Sequence, residues 1–436
     1  MINNDVKQYN FPVMNKSICF VLSFLTFFNK IPLYGQNFVA NYDETKVPAY
    51  TLPDPLVFNN GDKVKNKKEW DKRRTELLKI FQNEVYGISP VWKGEIIATE
   101  LSSNLNALNG TAIRKEIRLT LKNGSKELSM FMLLYLPKSS DPVPVFLGLN
   151  FDGNHSITEE KDISITNSWI RNDPANGITD NRATEAGRSK DVTSWQVKEM
   201  ISRGYGLATI YYGDIDPDFD DGFRNGVHGL YDQQPDNASW GTIAAWAWGL
   251  SRAMDYLVTI SLIDSKKVIV MGHSRLGKTA LWAGATDERY AMVISNNSGC
   301  GGAALSKRVF GETVGSINRS FPHWFCENFN KYNEKEEMLS IDQHQLLSLI
   351  APRPVYVASA EEDLWADPKG EFLSCVGASP VYILLGGKGF PATEMPSVNS
   401  PVVGSIGYHI RTGEHDVTLY DWQQYLDFAD RHLHKK

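Results

Sequence analysis

Val268-Ile269-Val270-Met271-Gly272-His273-Ser274-Arg275-Leu276-Gly277-Lys278 is the stretch whose reading decides the fold. Four consecutive apolar residues closed by a glycine form a short buried strand, and the apolar spacing over residues 278–285 starts a helix. A serine wedged between such a strand and such a helix has the layout of a nucleophile elbow. That strained turn presents Oγ at the C-terminal edge of a sheet, beside helix N–H groups that favour a developing negative charge. The usual elbow pattern has glycine two residues after the serine, whereas here that position is Leu276 and the glycine is Gly277. The flanking strand and helix therefore carry the assignment, against the alternative of an inert helix-capping serine.

Outward from this turn, strand and helix patterns alternate. Residues 206–212 read as a strand, 242–259 as a long helix, and 292–295, 355–359 and 381–385 as further strands, with 418–433 as a closing helix. On the N-terminal side, residues 96–101, 112–121 and 128–136 alternate or run apolar ahead of a buried strand over 143–150. The pattern predicts an antiparallel lead-in followed by a mostly parallel sheet with helices on both faces, which is an α/β-hydrolase fold. Two polar stretches rich in Asp, Asn and Gly, 152–192 and 213–238, are too long for simple connections and are expected to decorate the mouth of the site.

A serine hydroxyl needs a base, and the base needs an acid to hold it, in the chain order Ser, Asp/Glu, His. Four histidines follow at useful distance: His323, His344, His409 and His415. His415, in Gly413-Glu414-His415-Asp416 ahead of the last helix, has the topological place of the base. Just past the 355–359 strand, Glu361, Glu362, Asp363 and Asp367 all offer carboxylates. Asp363 is the first choice for the acid, with Glu361 its main rival.

The composition is that of a globular protein, 42% hydrophobic and 22% charged, with an aromatic share of 11% that suits a carbohydrate-facing surface. A formal charge of −6, with the basic residues scattered, gives no electrostatic basis for binding nucleic acid or an anionic membrane. Lys16 followed by an apolar run from Ile18 to Phe28 reads as a secretory signal, with cleavage expected near Gly35 or Gln36. The expectation is thus a signal peptide over 1–36, with Met14 as an alternative start, and one catalytic domain over 37–436 led by an extended arm at about 37–66. No other segment is long and apolar enough for a membrane span. Cys19 lies in the signal, which leaves Cys300, Cys326 and Cys375. They are odd in number, without metal-ligand spacing, and are expected to be buried thiols.

Several longer motifs stand in order along the chain: Gly272-His273-Ser274-Arg275-Leu276-Gly277-Lys278, Ser298-Gly299-Cys300-Gly301-Gly302, Phe310-Gly311-Glu312, Phe321-Pro322-His323-Trp324-Phe325, Pro352-Arg353-Pro354, Asp363-Leu364-Trp365 and Gly413-Glu414-His415. Together they resemble the bacterial glucuronoyl esterases of carbohydrate esterase family 15, over residues 86–432. The resemblance implies hydrolysis of the ester between a 4-O-methyl-glucuronic acid branch of glucuronoxylan and a lignin alcohol. It implies neither metal nor organic cofactor. The N-terminal signal points to a secreted or periplasmic protein, expected to act as a monomer. The resemblance makes Ser274 the nucleophile, His415 the base and Arg275 a contributor to the oxyanion site. Lys278 would meet the sugar hydroxyls, Glu312 would accept from a sugar diol, and Trp365 would pack on the ring.

Two departures from the family pattern bear on the chemistry. Many relatives carry a glutamate as the acid just before the Ser-Gly-x-Gly-Gly motif, where this chain has Asn297, so the role shifts toward Asp363. Fungal relatives carry a cysteine at the His273 position, bridged to one at the Asp416 position; here these two residues are open to an ion pair instead. Two alternatives remain at this stage: an acetylxylan or other carbohydrate acetylesterase with the same triad, and a non-catalytic glycan-binding relative, the latter motivated by Asn297.

Overall fold

The computed structural model describes residues 38–232 and 236–433; the expected signal peptide lies outside them. Ten strands form one sheet. They are β1 (Glu95–Asn106), β2 (Ala112–Asn123), β3 (Lys126–Pro137), β4 (Val143–Asn150), β5 (Gly206–Tyr211), β6 (Ile263–His273), β7 (Met292–Asn296), β8 (Val355–Ala360), β9 (Val402–Val403) and β10 (Ile406–Arg411). Their spatial order is β1-β2-β3-β5-β4-β6-β7-β8-β10-β9. Pairing is antiparallel from β1 through β3 to β5, parallel from β5 to β10, and antiparallel again for the edge strand β9.

The central strands are buried on both faces, so their side chains split with period two. Val145, Leu147, Val268, Val270, Val355 and Val357 enter one core, and Phe146, Ile269, Met271, Tyr356 and Ala358 enter the other. Helices α1 (Lys67–Phe81), α2 (Thr242–Leu257), α3 (Arg275–Thr286) and α4 (Pro368–Leu384) contribute to the first core, and α5 (Leu419–Leu433) to the second. The N-terminal arm is held by specific contacts. Asn41 O accepts from Gly311 N at 2.8 Å, Pro53 O accepts from His344 Nε2 at 2.8 Å, and Tyr42 meets Phe310 edge-on.

One expected strand is wrong. Residues 381–385 lie at the end of helix α4, and the strand beside β8 is β10. A short apolar run reads equally as strand or helix. The buried positions Phe372, Cys375, Ala378, Val381 and Tyr382, with Ile383 facing solvent, have helical spacing. β10 is hard to recognise from sequence because two of its six buried residues are polar: His409 and Arg411 both reach the buried Asp421 carboxylate, at 2.9 and 2.7 Å.

Ser274 stands between β6 and α3 with φ 56° and ψ −128°. This backbone conformation costs a non-glycine residue on the order of 1–3 kcal/mol, and close packing on both sides holds it. A Cβ on Gly272 would lie 1.9 Å from Leu276 O, and one on Gly277 would lie 2.9 Å from Ser298 Cβ. The glycine displaced by one position thus serves the contact between α3 and the loop after β7. Gly272→Ala is expected to destabilise the protein by about 1–3 kcal/mol or more, read as a lowered urea midpoint at unchanged m-value.

Candidate functional site

The C-terminal ends of β6, β7, β8 and β10 bring the site together, which is where an open α/β sheet places its ligands. Ser274 follows β6, Asn297 follows β7, Asp363 follows β8, and His415 lies in the loop between β10 and α5. Of the four carboxylates expected near residue 363, Glu361 and Glu362 are exposed and Asp367 is committed to Arg308 at 2.8 Å. Asp363 is buried, and its Oδ2 accepts from His415 Nδ1 at 2.6 Å. Burial alone would raise the Asp363 carboxyl, but donation from His415 and Asn297 outweighs it and holds the group below the usual carboxylate range.

Asn297 keeps a part in this geometry. It adopts φ 46° and donates from Nδ2 to Asp363 Oδ2 at 2.8 Å, so the amide orients the carboxylate that meets His415. The other three histidines are engaged elsewhere: His323 with Asp218, His344 with Pro53 O, and His409 with Asp421. The suggested ion pair between His273 and Asp416 does not form. His273 Nδ1 instead meets Asn296 Oδ1 at 2.6 Å, and Asp416 accepts from Ser194 Oγ and Val417 N. Burial and the neighbouring His415 push His273 down to about 3, so a neutral ring packs 4.4 Å from the His415 ring. A neutral His273 offers no positive charge with which Asp416 could form an ion pair.

Arg275 begins α3 and reaches back to Asp218. Its guanidinium carbon lies 5.0 Å from the Trp324 ring centroid and 5.7 Å from that of Phe321. Asp218, fully buried, also accepts from His323 Nε2 at 2.8 Å and Trp324 Nε1 at 2.7 Å. Desolvation would raise its carboxyl, yet these donors and the Arg275 charge hold it at about 2. Asp218 was not singled out in the sequence, where it is one of several aspartates in the 213–238 stretch and has no distinguishing spacing.

Lys278, one turn along α3, is buried. Its Nζ donates to Ser298 O at 2.6 Å and lies 3.5 Å from Glu312 Oε2. Burial raises the Glu312 carboxyl despite Lys278. The Glu312 N–H donates to Trp365 O at 3.0 Å, and Trp365 is 40% exposed and borders the cavity rather than the core. The loop after β7 that carries Ser298 is pinned by Glu371, which accepts from the N–H groups of Ser298 and Gly299 at 2.7 and 3.0 Å. Glu371 was another residue missed by sequence reading: it looks like an ordinary helix glutamate. Ser274, Arg275, Lys278, Glu312, Trp365 and His415 all face one cavity of about 300 Å³. Cys300, Cys326 and Cys375 are buried and free, and among the described residues no group of three or more His, Cys, Asp or Glu is placed to hold a metal ion.

Two outcomes are expected from this geometry. Asp363→Asn should lower kcat by on the order of 10³–10⁴-fold, because an amide fixes the wrong imidazole tautomer, while Glu361→Gln should leave kcat within twofold; ester-hydrolysis kinetics of both variants check this. Asp218 has a folded value of about 2 against about 3.9 unfolded. Its contribution, on the order of 2–3 kcal/mol, is therefore complete above about pH 4 and lost as the pH falls toward 2. Urea unfolding should show the wild-type advantage over Asp218→Asn shrinking across that window.

Comparison with known proteins identifies the family. A family model for glucuronyl esterases of fungi matches residues 192–386. A carbohydrate esterase from an unknown prokaryotic organism is 53% identical over 407 residues, spanning 92% of this chain and 94% of that protein. Among solved structures, a promiscuous esterase of carbohydrate esterase family 15 from a marine bacterial metagenome has a TM-score of 0.86 at 54% identity, covering 90% of this chain and all of that one. A glucuronoyl esterase from Solibacter usitatus has a TM-score of 0.83 at 46% identity, covering 88% and 99%. A serine elbow on a mostly parallel sheet, likeness along nine-tenths of the chain, and relatives that are esterases agree: the chain belongs to carbohydrate esterase family 15, the glucuronoyl esterases.

Proposed function

We propose that this enzyme cleaves the ester joining 4-O-methyl-glucuronic acid of glucuronoxylan to a lignin alcohol, through an acyl-enzyme on Ser274. The observation that carries the reading is the convergence on one cavity of Ser274, His415 with its Asp363 partner, Arg275, and a polar wall of Lys278, Glu312 and Trp365. In this mechanism His415 Nε2 takes the Ser274 proton as Oγ attacks the C6 carbonyl, and Asp363 keeps Nδ1 protonated and steadies the imidazolium. Arg275, held by Asp218 and the aromatic ring faces, donates to the oxyanion, a contribution on the order of 2.7–4 kcal/mol for one donor. The departing alcohol takes the proton back from His415, and water then releases the uronic acid by the same route.

Lys278 and Glu312 suit the hydroxyls of a pyranose, one donating and one accepting, and Trp365 offers a ring face to the sugar. An acetyl group would leave this wall unused, which is the physical ground for preferring a uronate over an acetyl ester. We further propose a single catalytic domain over residues 37–436, exported by the segment at 1–36 and acting in the periplasm or outside the cell as a monomer. The N-terminal sequence pattern supports export, and no helix among the described residues is long and apolar enough to cross a membrane.

Benzyl glucuronate is expected to be hydrolysed with a kcat/KM at least tenfold above that for acetylated xylan, and Ser274→Ala to abolish turnover of both. Lys278→Met should raise KM for the uronate ester by roughly tenfold through loss of a buried charged donor. Faster turnover of the acetyl ester would overturn the uronate reading.

A further inference from the structure

Ser274, Arg275 and His415 also line a second cavity, of about 320 Å³, distinct from the one bordered by Lys278, Glu312 and Trp365. Its remaining wall is apolar where Phe151, Trp195 and Met271 contribute, and acidic where Asp152 and Asp191 do. Both acids come from the 152–192 insertion. Asp191 accepts from Ser156 Oγ at 2.6 Å, and burial together with the adjacent Asp191 charge pushes Asp152 up to about 7. Two carboxyl groups sharing a proton can both accept from and donate to one hydroxyl group.

The carbon under attack has four substituents, and the reading above already places three of them. They are Oγ of Ser274, the oxyanion on Arg275, and the sugar ring against Lys278, Glu312 and Trp365. The fourth is the alkoxy oxygen, which must come within hydrogen-bond reach of His415 Nε2, because it receives its proton there as the C–O bond breaks. His415 borders both cavities, and the sugar occupies one of them. We propose that the second cavity is the leaving-alcohol site. On the uronate-ester reading, it takes an aryl-alkyl alcohol with a free hydroxyl, the ring lying against Phe151 and Trp195 and the hydroxyl on the Asp152–Asp191 pair. A ligand-sized space with an apolar wall and a few convergent polar groups is the usual make-up of a small-molecule site, and a methyl ester would leave it empty.

The test compares kcat/KM for methyl, 3-phenylpropyl and 3-(4-hydroxyphenyl)propyl glucuronate in wild type, Ser194→Trp and Asp152→Ala. Ser194 lines the cavity and is half-buried; its carbonyl bond to Trp422 Nε1 belongs to the backbone and survives substitution. The inserted indole should lower the phenylpropyl-to-methyl ratio about tenfold or more by excluding the ring. Asp152→Ala should lower the hydroxyphenyl-to-phenyl ratio by about threefold to tenfold, as expected for loss of one hydrogen bond between the ligand hydroxyl and the acid pair. Ratios unchanged in both variants would show the alcohol leaving toward solvent and overturn the proposal. A uniform fall in kcat for all three esters in Ser194→Trp would also overturn it, by making the cavity a route for the hydrolytic water. If wild type cleaves none of the esters, the uronate reading fails instead. Should Ser194→Trp unfold, the Asp152→Ala ratio and inhibition of methyl-ester hydrolysis by free 3-(4-hydroxyphenyl)propan-1-ol decide; absence of both effects refutes the site.

Discussion

The strained turn at Ser274 is the constraint on which the rest depends. A positive φ at a residue with a side chain survives only where close packing leaves no alternative, and here Gly272 lets the backbone approach Leu276 O while Gly277 brings α3 against Ser298. The same packing directs Arg275 toward the sheet edge and sets Lys278 one turn inward. The proposed nucleophile, oxyanion donor and sugar-facing ammonium therefore come from five residues of chain. Their mutual geometry is local, but it exists only because β4 and β7 flank β6 and the loop after β7 fits beneath the helix.

Buried charge is handled differently at the two halves of the site. Asp218 gathers an arginine, a histidine and an indole donor around one carboxylate, enough to keep it ionised with no exposure to water. Asp363 is stabilised more sparsely, by His415 and an asparagine amide, which suits the role proposed for it beside an imidazolium. His273 adds a neutral ring beside His415. A charged neighbour there would oppose that imidazolium.

Two cavities meeting at Ser274 differ in the chemistry of their walls. The wall made by Lys278, Glu312 and Trp365 is polar and aromatic, while that made by Phe151, Trp195 and Met271 is apolar with an acidic pair. The first is built from motifs carried on the core strands and helices. The second draws Asp152 and Asp191 from an insertion, the part of an α/β enzyme most free to vary without disturbing the fold.

The sequence by itself determined the elbow and the parallel sheet around it, and it pointed to His415 and the region of Asp363 as the partners that the fold brings together. Each of these rests on local pattern or chain order: a strand–serine–helix run, a histidine before the last helix, an amide where an acid was expected. Strand β10 escaped because its polar residues His409 and Arg411 find their partner Asp421 only in α5, and residues 381–385 were misread because a five-residue apolar run has no period of its own. Only the tertiary structure set Asp363 rather than Glu361 against His415, paired His273 with Asn296 rather than Asp416, and revealed Asp218 and Glu371 as the groups that fix Arg275 and the Ser298 loop. Those outcomes depend on distances between residues tens to hundreds of positions apart. No periodicity or spacing along the chain encodes which of several carboxylates ends up dry and facing a given donor.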